Sequence, residues 1–282
     1  MDIFETKKTL LAHINSLKNK SLSIGLVPTM GALHQGHLSL IHRALEENDF
    51  VVVSIFVNPT QFDNAEDLKK YPRTLDRDVN LLTAFGEKVI IYAPTAEDIY
   101  DENIKSEHHD FDGLENEMEG ANRPGHFDGV GTIVSKLFEI VMPNRAYFGE
   151  KDFQQLQIIR KMVEKKNLDI SIIGCPIFRE ENGLAMSSRN ERLSEKAKEE
   201  AVFIYKTLLQ ARENFDQKSI DEIKTFVEKQ FDNHPNLQLE YFEIADEDTL
   251  QSAQTKQSGK KYRGFVVAHI DNVRLIDNIS LN

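Results

Sequence analysis

Short apolar runs alternate with longer stretches of helical spacing through the first two thirds of this chain. Strand-like runs occur at residues 22–27, 51–57, 88–93, 145–148 and 170–175, while 37–48, 75–85, 129–142 and 152–166 place apolar side chains every three to four positions. Apolar strands separated by amphipathic helices predict a parallel sheet with helices on both faces. After residue 190 the pattern changes. Helical spacing over 194–214 and 219–231 is followed by a strand-like run at 238–245 and a hairpin with Asp271-Asn272 at its turn,. The expected organisation is an α/β domain over residues 1–176 and a smaller C-terminal α+β domain over 177–282. Residues 107–125 are acidic and irregular, and read either as a loop long enough to be a flap or as a disordered insert,.

A chain of 282 residues exceeds the usual single-domain size, in keeping with that division,. Its formal net charge of −12 argues against a nucleic-acid surface, because a polyanion needs a basic stripe,. A small anion is a different matter, since local cations such as Arg123, Lys151, Arg179 and Arg189 can outweigh a distant acidic surface,. The apolar runs are too short to span a bilayer, and Asp2 and Glu5 spoil a signal-peptide reading, so a cytoplasmic protein with no membrane partner is expected,. The single cysteine, Cys175, lies in an apolar run, which predicts a buried structural thiol rather than a nucleophile,.

Two polar stretches carry candidate chemistry. The first is Met30-Gly31-Ala32-Leu33-His34-Gln35-Gly36-His37, directly after the first predicted strand, with Pro28 and Gly31 punctuating a turn and helical spacing from His37 onward. A strand-to-helix junction leaves backbone N–H groups and the positive end of a helix dipole facing one spot, which suits a phosphate. Gly36 allows close approach of a ligand, and the two imidazoles add donors that titrate near neutral pH. The four letters HxGH alone fit equally a pair of turn histidines hydrogen-bonded for structural reasons. The second stretch is residues 179–190, where Ser187 and Ser188 can donate hydrogen bonds and Arg189 offers a planar fork for phosphate oxygens,. Taken alone it fits a helix cap beside a solvated arginine.

Together the two stretches resemble the HIGH/KMSKS nucleotidyltransferase superfamily, whose members direct attack at the α-phosphorus of ATP. The resemblance narrows when further runs are read in order: 55–62, 71–74, 123–130, 148–155 (Phe148-Gly149-Glu150-Lys151-Asp152-Phe153-Gln154-Gln155), 183–190, and Arg274-Leu275-Ile276-Asp277-Asn278. This succession resembles the pantothenate synthetase (pantoate–β-alanine ligase) family over nearly the whole chain. The resemblance implies a Rossmann-like sheet, in which ligands bind outside the carboxyl ends of the strands. His34, Asn58, Gln61, Gly149 and Lys151 all follow predicted strands closely.

The implied reaction activates the carboxylate of D-pantoate with ATP to give pantoyl adenylate and pyrophosphate, after which the amine of β-alanine displaces AMP. The resemblance gives Met30 to His37, Gly149, Glu150, Lys151, Asp152, Phe178, Met186, Ser187, Ser188 and Arg189 to ATP. It makes His34, His37, Lys151 and Arg189 catalytic, with His37 the proton donor. Gln61, Gln155 and Asn58 go to pantoate, and Gln61 also to β-alanine. Lys151 alone could equally be a solvated lysine and Asp152 a helix cap. Mg²⁺ should accompany ATP, with no protein ligands assignable, and a homodimer through the N-terminal domain is implied. Closure of the C-terminal domain would bring Ser187, Ser188 and Arg189 onto ATP. One departure is Phe178, where the family usually has valine. The competing readings are an adenylyltransferase acting on a phosphorylated acceptor, for which Gln61 and Gln155 supply no cation, and a silent nucleotide binder.

Overall fold

The structure is a computed structural model that describes residues 1–62, 65–101 and 103–282. They form two compact units, Met1–Glu150 with Gln155–Pro176, and Lys151–Gln154 with Ile177–Asn282. The four residues Lys151–Gln154, which the apolar pattern puts inside the first domain, thus count with the second unit. Among the described residues no helix is long and apolar enough to cross a membrane.

The first unit is built on six parallel strands, β1 (Asp2–Phe4), β2 (Ile24–Thr29), β3 (Phe50–Ile55), β4 (Val89–Tyr92), β5 (Arg145–Gly149) and β6 (Ser171–Cys175), in the order β1-β4-β3-β2-β5-β6. The chain steps outward from β2 through β3 to β4, then returns to add β5 on the other side of β2. That reversal opens a crevice outside the carboxyl ends of β2 and β5, the usual ligand position in such sheets. Among the described residues eight helices accompany the strands: α1 (Lys7–Lys18), α2 (Gln35–Glu47), α3 (Ala65–Lys70), α4 (Leu75–Leu82), α5 (Ala96–Tyr100), α6 (Met118–Asn122), α7 (His126–Val141) and α8 (Phe153–Lys165). The core around β2 and β3 joins Val27, Val51 and Val53 to Leu33, Ile41, Ala44 and Leu82. Cys175 is buried in it, and burial pushes its thiol pKa up, as befits a structural group.

Several boundaries differ from expectation for identifiable reasons. β2 runs through Pro28, a residue that reads as a strand breaker. The Thr29 carbonyl bonds toward β3, accepting from the Phe56 N–H, so Pro28 faces the β5 side, where the registered pairing ends at Leu26. No ladder bond is lost there. The β1 strand and α1 were not expected. α1 is nonetheless amphipathic, capped by Thr6 and burying Leu10, Ile14 and Leu17. Residues 107–125 begin as the expected irregular loop but are anchored and partly helical. Phe111 and Leu114 are buried, and a 3-10 turn (Leu114–Asn116) and α6 (Met118–Asn122) follow.

In the second unit α9 (Glu195–Glu213) and α10 (Ile220–Asp232) accompany an antiparallel sheet of β7 (Gln238–Asp246), β8 (Tyr262–Ile270) and β9 (Val273–Ser280) in that order. Its core includes Ile204, Leu208, Ile223, Val227, Ile244 and Val266. Asp271 and Asn272 take positive φ of 49° and 57°, the conformation a two-residue hairpin turn requires,.

Candidate active site

In the first unit the chain passes from β2 to α2 through a turn in which Gly31 and Ala32 both have positive φ, 81° and 49°. For alanine this conformation is sterically costly. A buried carboxylate offsets it: Asp78 accepts the N–H groups of Ala32 and Leu33 at 2.9 and 2.8 Å, and the Thr74 hydroxyl donates to the same carboxylate. Asp78 is fully buried and comes from α4. A Cβ at Gly31 would lie 3.1 Å from its Oδ2, so glycine serves here both for φ and for space,. Ala32 and Leu33 are themselves buried, and their amides bind Asp78. They shape the turn that carries the expected nucleotide segment.

The two histidines then close the N-terminus of α2 on each other. His34 Nδ1 accepts the Gly36 N–H at 3.1 Å, His37 Nδ1 accepts the His34 N–H at 3.3 Å, and the ring centroids are 4.0 Å apart. This is a capping box made of imidazoles,. With both Nδ1 atoms accepting, a neutral ring carries its proton on Nε2. Gln35 is exposed, and Met30, Gly36, His34 and His37 are half-buried.

Gln61 ends the 3-10 turn Pro59–Gln61 after β3, with Nε2 2.9 Å from Met30 Sδ. Asn58, expected at pantoate, is held within the fold. It is 1% exposed and its amide is committed: Nδ2 donates to Gln61 Oε1 and the Gly129 carbonyl, each at 3.2 Å, while Oδ1 accepts the Tyr100 hydroxyl at 2.6 Å. Through the first of these bonds it braces the Gln61 side chain. The run 123–130 supports the same residue, as His126 Nδ1 donates to the Gln61 carbonyl at 2.7 Å and a Cβ at Gly129 would fall 2.3 Å from the Thr60 carbonyl oxygen. Arg123 lies 3.3 Å from His126 and 3.9 Å from Glu119, within that support. Gln155 on α8 is half-buried, with no hydrogen-bond partner among the described residues. Gly149 ends β5 and is followed by half-buried Glu150.

The second unit gathers the remaining residues. The Lys151 side chain is 18% exposed, its Nζ 3.5 Å from Asp152. Residues 178–186 form a small hairpin: Met186 N–H donates to Phe178, Glu180 N–H donates to Leu184, and Arg179 pairs with Ala185. Gly183 turns it at φ 100°, where a Cβ would meet Tyr205 at 2.7 Å. Ser187 then caps the 3-10 turn Ser188–Arg192, its Oγ accepting the Arg189 N–H at 3.2 Å. Ser188 is 8% exposed, whereas Met186, Ser187 and Arg189 are half-buried. The Phe178 side chain is 41% exposed.

Arg179 is not a free cation for a substrate. Its guanidinium makes a two-point pair with Asp277, at 2.6 and 2.9 Å, and stacks 3.6 Å from the centre of the Tyr205 ring. Asn190, 6% exposed, ties the loop together by donating to the Ala185 carbonyl and Glu180 Oε1, each at 3.1 Å. Among the described residues no group of three or more His, Cys, Asp or Glu could hold a metal ion.

The sequence matches the family model described as pantoate-beta-alanine ligase over residues 2–280. Pantothenate synthetases of Christiangramia forsetii and Flavobacterium psychrophilum are 55% and 56% identical, each comparison covering 100% of both chains. The crystal structure of pantothenate synthetase from Thermus thermophilus is 40% identical with a TM-score of 0.89, covering 100% of this chain and 99% of that one. That of pantoate-beta-alanine ligase from Francisella tularensis, complexed with beta-gamma ATP and β-alanine, is 37% identical with a TM-score of 0.79, covering 100% of this chain and 98% of that one. With a fold, a histidine-capped turn and a Met-Ser loop of this kind, the chain belongs to the pantoate–β-alanine ligase family.

Proposed function

We propose that this protein condenses D-pantoate with β-alanine, using ATP, through a pantoyl-adenylate intermediate. The observation that carries the reading is the reciprocal capping of α2 by His34 and His37, which leaves each neutral ring with an Nε2 proton at a helix N-terminus. A pantoate carboxylate oxygen attacks the α-phosphorus, the bond to the bridging oxygen breaks, and pyrophosphate leaves. The β-alanine amine then attacks the acyl carbon, the bond to AMP breaks, and the nitrogen gives up a proton.

Both anions repel in the first step, so positioned donors and cations supply most of the acceleration. His34 and His37 stabilise charge on the transferred α-phosphoryl group. Lys151 brings a compact charge to the bridging oxygen, and Ser187, Ser188 and Arg189 hold the β- and γ-phosphates. Gln61, braced by Asn58 and His126, and Gln155, whose amide has no partner among the described residues, suit the hydroxyls and carboxylate of pantoate,. Gln61 also receives β-alanine, a ligand that the Francisella relative is described as binding. Mg²⁺ would accompany ATP and supply positive charge that offsets the polyphosphate. The family resemblance makes the enzyme a cytoplasmic homodimer joined through its first unit.

The test is exchange of labelled pyrophosphate into ATP with Mg²⁺, with and without D-pantoate and without β-alanine. Pantoate-dependent exchange is expected. A folded, ATP-binding protein that shows none would overturn the reading in favour of an adenylyltransferase or a silent binder.

A further inference from the structure

The run Arg274-Leu275-Ile276-Asp277-Asn278 has no task in the reaction just described, yet it places two consecutive buried polar residues in β9. Asp277 is 5% and Asn278 1% exposed. Asp277 holds Arg179 at the base of the Met-Ser hairpin. Asn278 reaches the other segment assigned to ATP in this unit: its Nδ2 donates to the Lys151 carbonyl at 2.9 Å, and its Oδ1 accepts from Arg263 Nη1 at 2.7 Å. A carbonyl can only accept and a guanidinium can only donate, so these partners fix the orientation of the amide. Arg263, 6% exposed and paired with Glu247, also lies 3.9 Å from the centre of the Phe153 ring. The segment Lys151–Gln154 is therefore gripped twice, by its first carbonyl and by its aromatic ring, from adjacent strands of one sheet.

We infer that Asn278 is a positioning residue for Lys151: by tethering the residue 151 carbonyl it sets the direction in which the Lys151 side chain leaves the backbone. Neighbouring Asp277 does the same for the Met-Ser loop, so one strand aligns both segments. A backbone anchor matters more for lysine than for arginine, because the lysine head is a point charge on a flexible four-carbon stem with no fork to register it. The inference rests on the proposed function for its consequence in turnover, but the tether can be tested without it.

The experiment compares the full chain with Asn278→Asp, which keeps the acceptor for Arg263 but sets an oxygen against the Lys151 carbonyl. Asn278→Ser shortens the side chain without adding charge and serves if the first variant does not fold. Hydrogen exchange of the amides of residues 151–154, measured without substrates, should quicken at least tenfold while β8 and β9 keep their protection. Pantoate-dependent pyrophosphate exchange should fall at least tenfold at saturating substrates in the Lys151 chain. On a Lys151→Ala background the same substitution should change the residual rate less than twofold. Unaltered exchange of residues 151–154, or equal loss of turnover in both backgrounds, overturns the inference and leaves Asn278 an ordinary core residue. A wild-type chain without pantoate-dependent turnover would instead overturn the ligase reading, and the hydrogen-exchange result would still decide the tether.

Discussion

The turn before α2 and the Met-Ser loop, each proposed to contact ATP, are built in opposite ways. In the first unit His34 and His37 cap α2 through backbone amides close in sequence, at a place that sheet order already marks as a crevice, and Asp78 alone reaches in from α4 to hold the turn before them. In the second unit nothing about β7 to β9 marks a site. There the geometry comes from side chains reaching across the sequence, Arg179 to Asp277 over 98 residues and Asn278 to Lys151 over 127. At the histidines backbone order sets the place and local caps finish it. A site set by long-range polar pairs stands or falls with each pair, and here both pairs depend on the last strand of the chain.

The largest expected effect follows from that dependence. Asp277→Ala leaves a guanidinium whose side chain is 15% exposed without its carboxylate. Breaking one partner of a buried pair costs about 3–5 kcal/mol, so urea unfolding of the full chain should shift by that amount. Replacing both partners by apolar residues of similar volume should cost much less, because the penalty lies mainly in the orphaned charge. A single substitution that leaves the unfolding midpoint unchanged would show that the Met-Ser hairpin does not need β9, and the contrast between the units would collapse.

His37→Ala should separate the two regions in the reverse sense. Losing one well-placed donor to developing phosphate charge costs about 10²–10³ in rate, while losing one cap costs about 1 kcal/mol of stability. Pyrophosphate exchange should therefore fall steeply with little change in the urea midpoint. A stability loss as large as that of Asp277→Ala would mean that the turn is not locally held.

The same contrast governs what could be read from the residues alone. Strand and helix periodicity located the five longer strands of the first sheet, and HxGH stood out because its partners are its own neighbours. The edge strand Asp2–Phe4 has only three residues, too few for alternation to register. Asp78 escaped because it reads as an ordinary charge in the first turn of α4, and nothing local shows that it receives two amides from a turn 45 residues earlier. The partners of Arg179 and Asn58 are hidden for the same reason: residue type announces hydrogen-bonding capacity, while the partner that uses it lies elsewhere in the fold. Asp277 and Asn278 were visible as part of a family-like run, but their work required the register of β9 against the Lys151 segment.

A further stretch of the first unit is held in the second unit's manner, and it gives the smallest and most selective test. Residues 107–111 lie on α7 through side chains: Glu107 N–H donates to Thr132 Oγ1 at 2.8 Å, His109 N–H donates to Asp128 at 2.9 Å, and His109 Nε2 meets Thr132 Oγ1 at 3.2 Å. Burial, helped by the charge of Lys166, holds the His109 imidazole below its ordinary pKa despite Asp128 and Glu107. Because the folded value is the lower one, this contribution to stability is fully present above the unfolded value of about 6.5 and is lost as pH falls through the folded value. Amide exchange over 107–111, corrected for its intrinsic pH dependence, should rise a fewfold below about pH 6.5 in the wild type and stay flat in His109→Gln. If it rises equally in both, the titrating group is another one, and burial of Phe111 rather than His109 anchors the stretch.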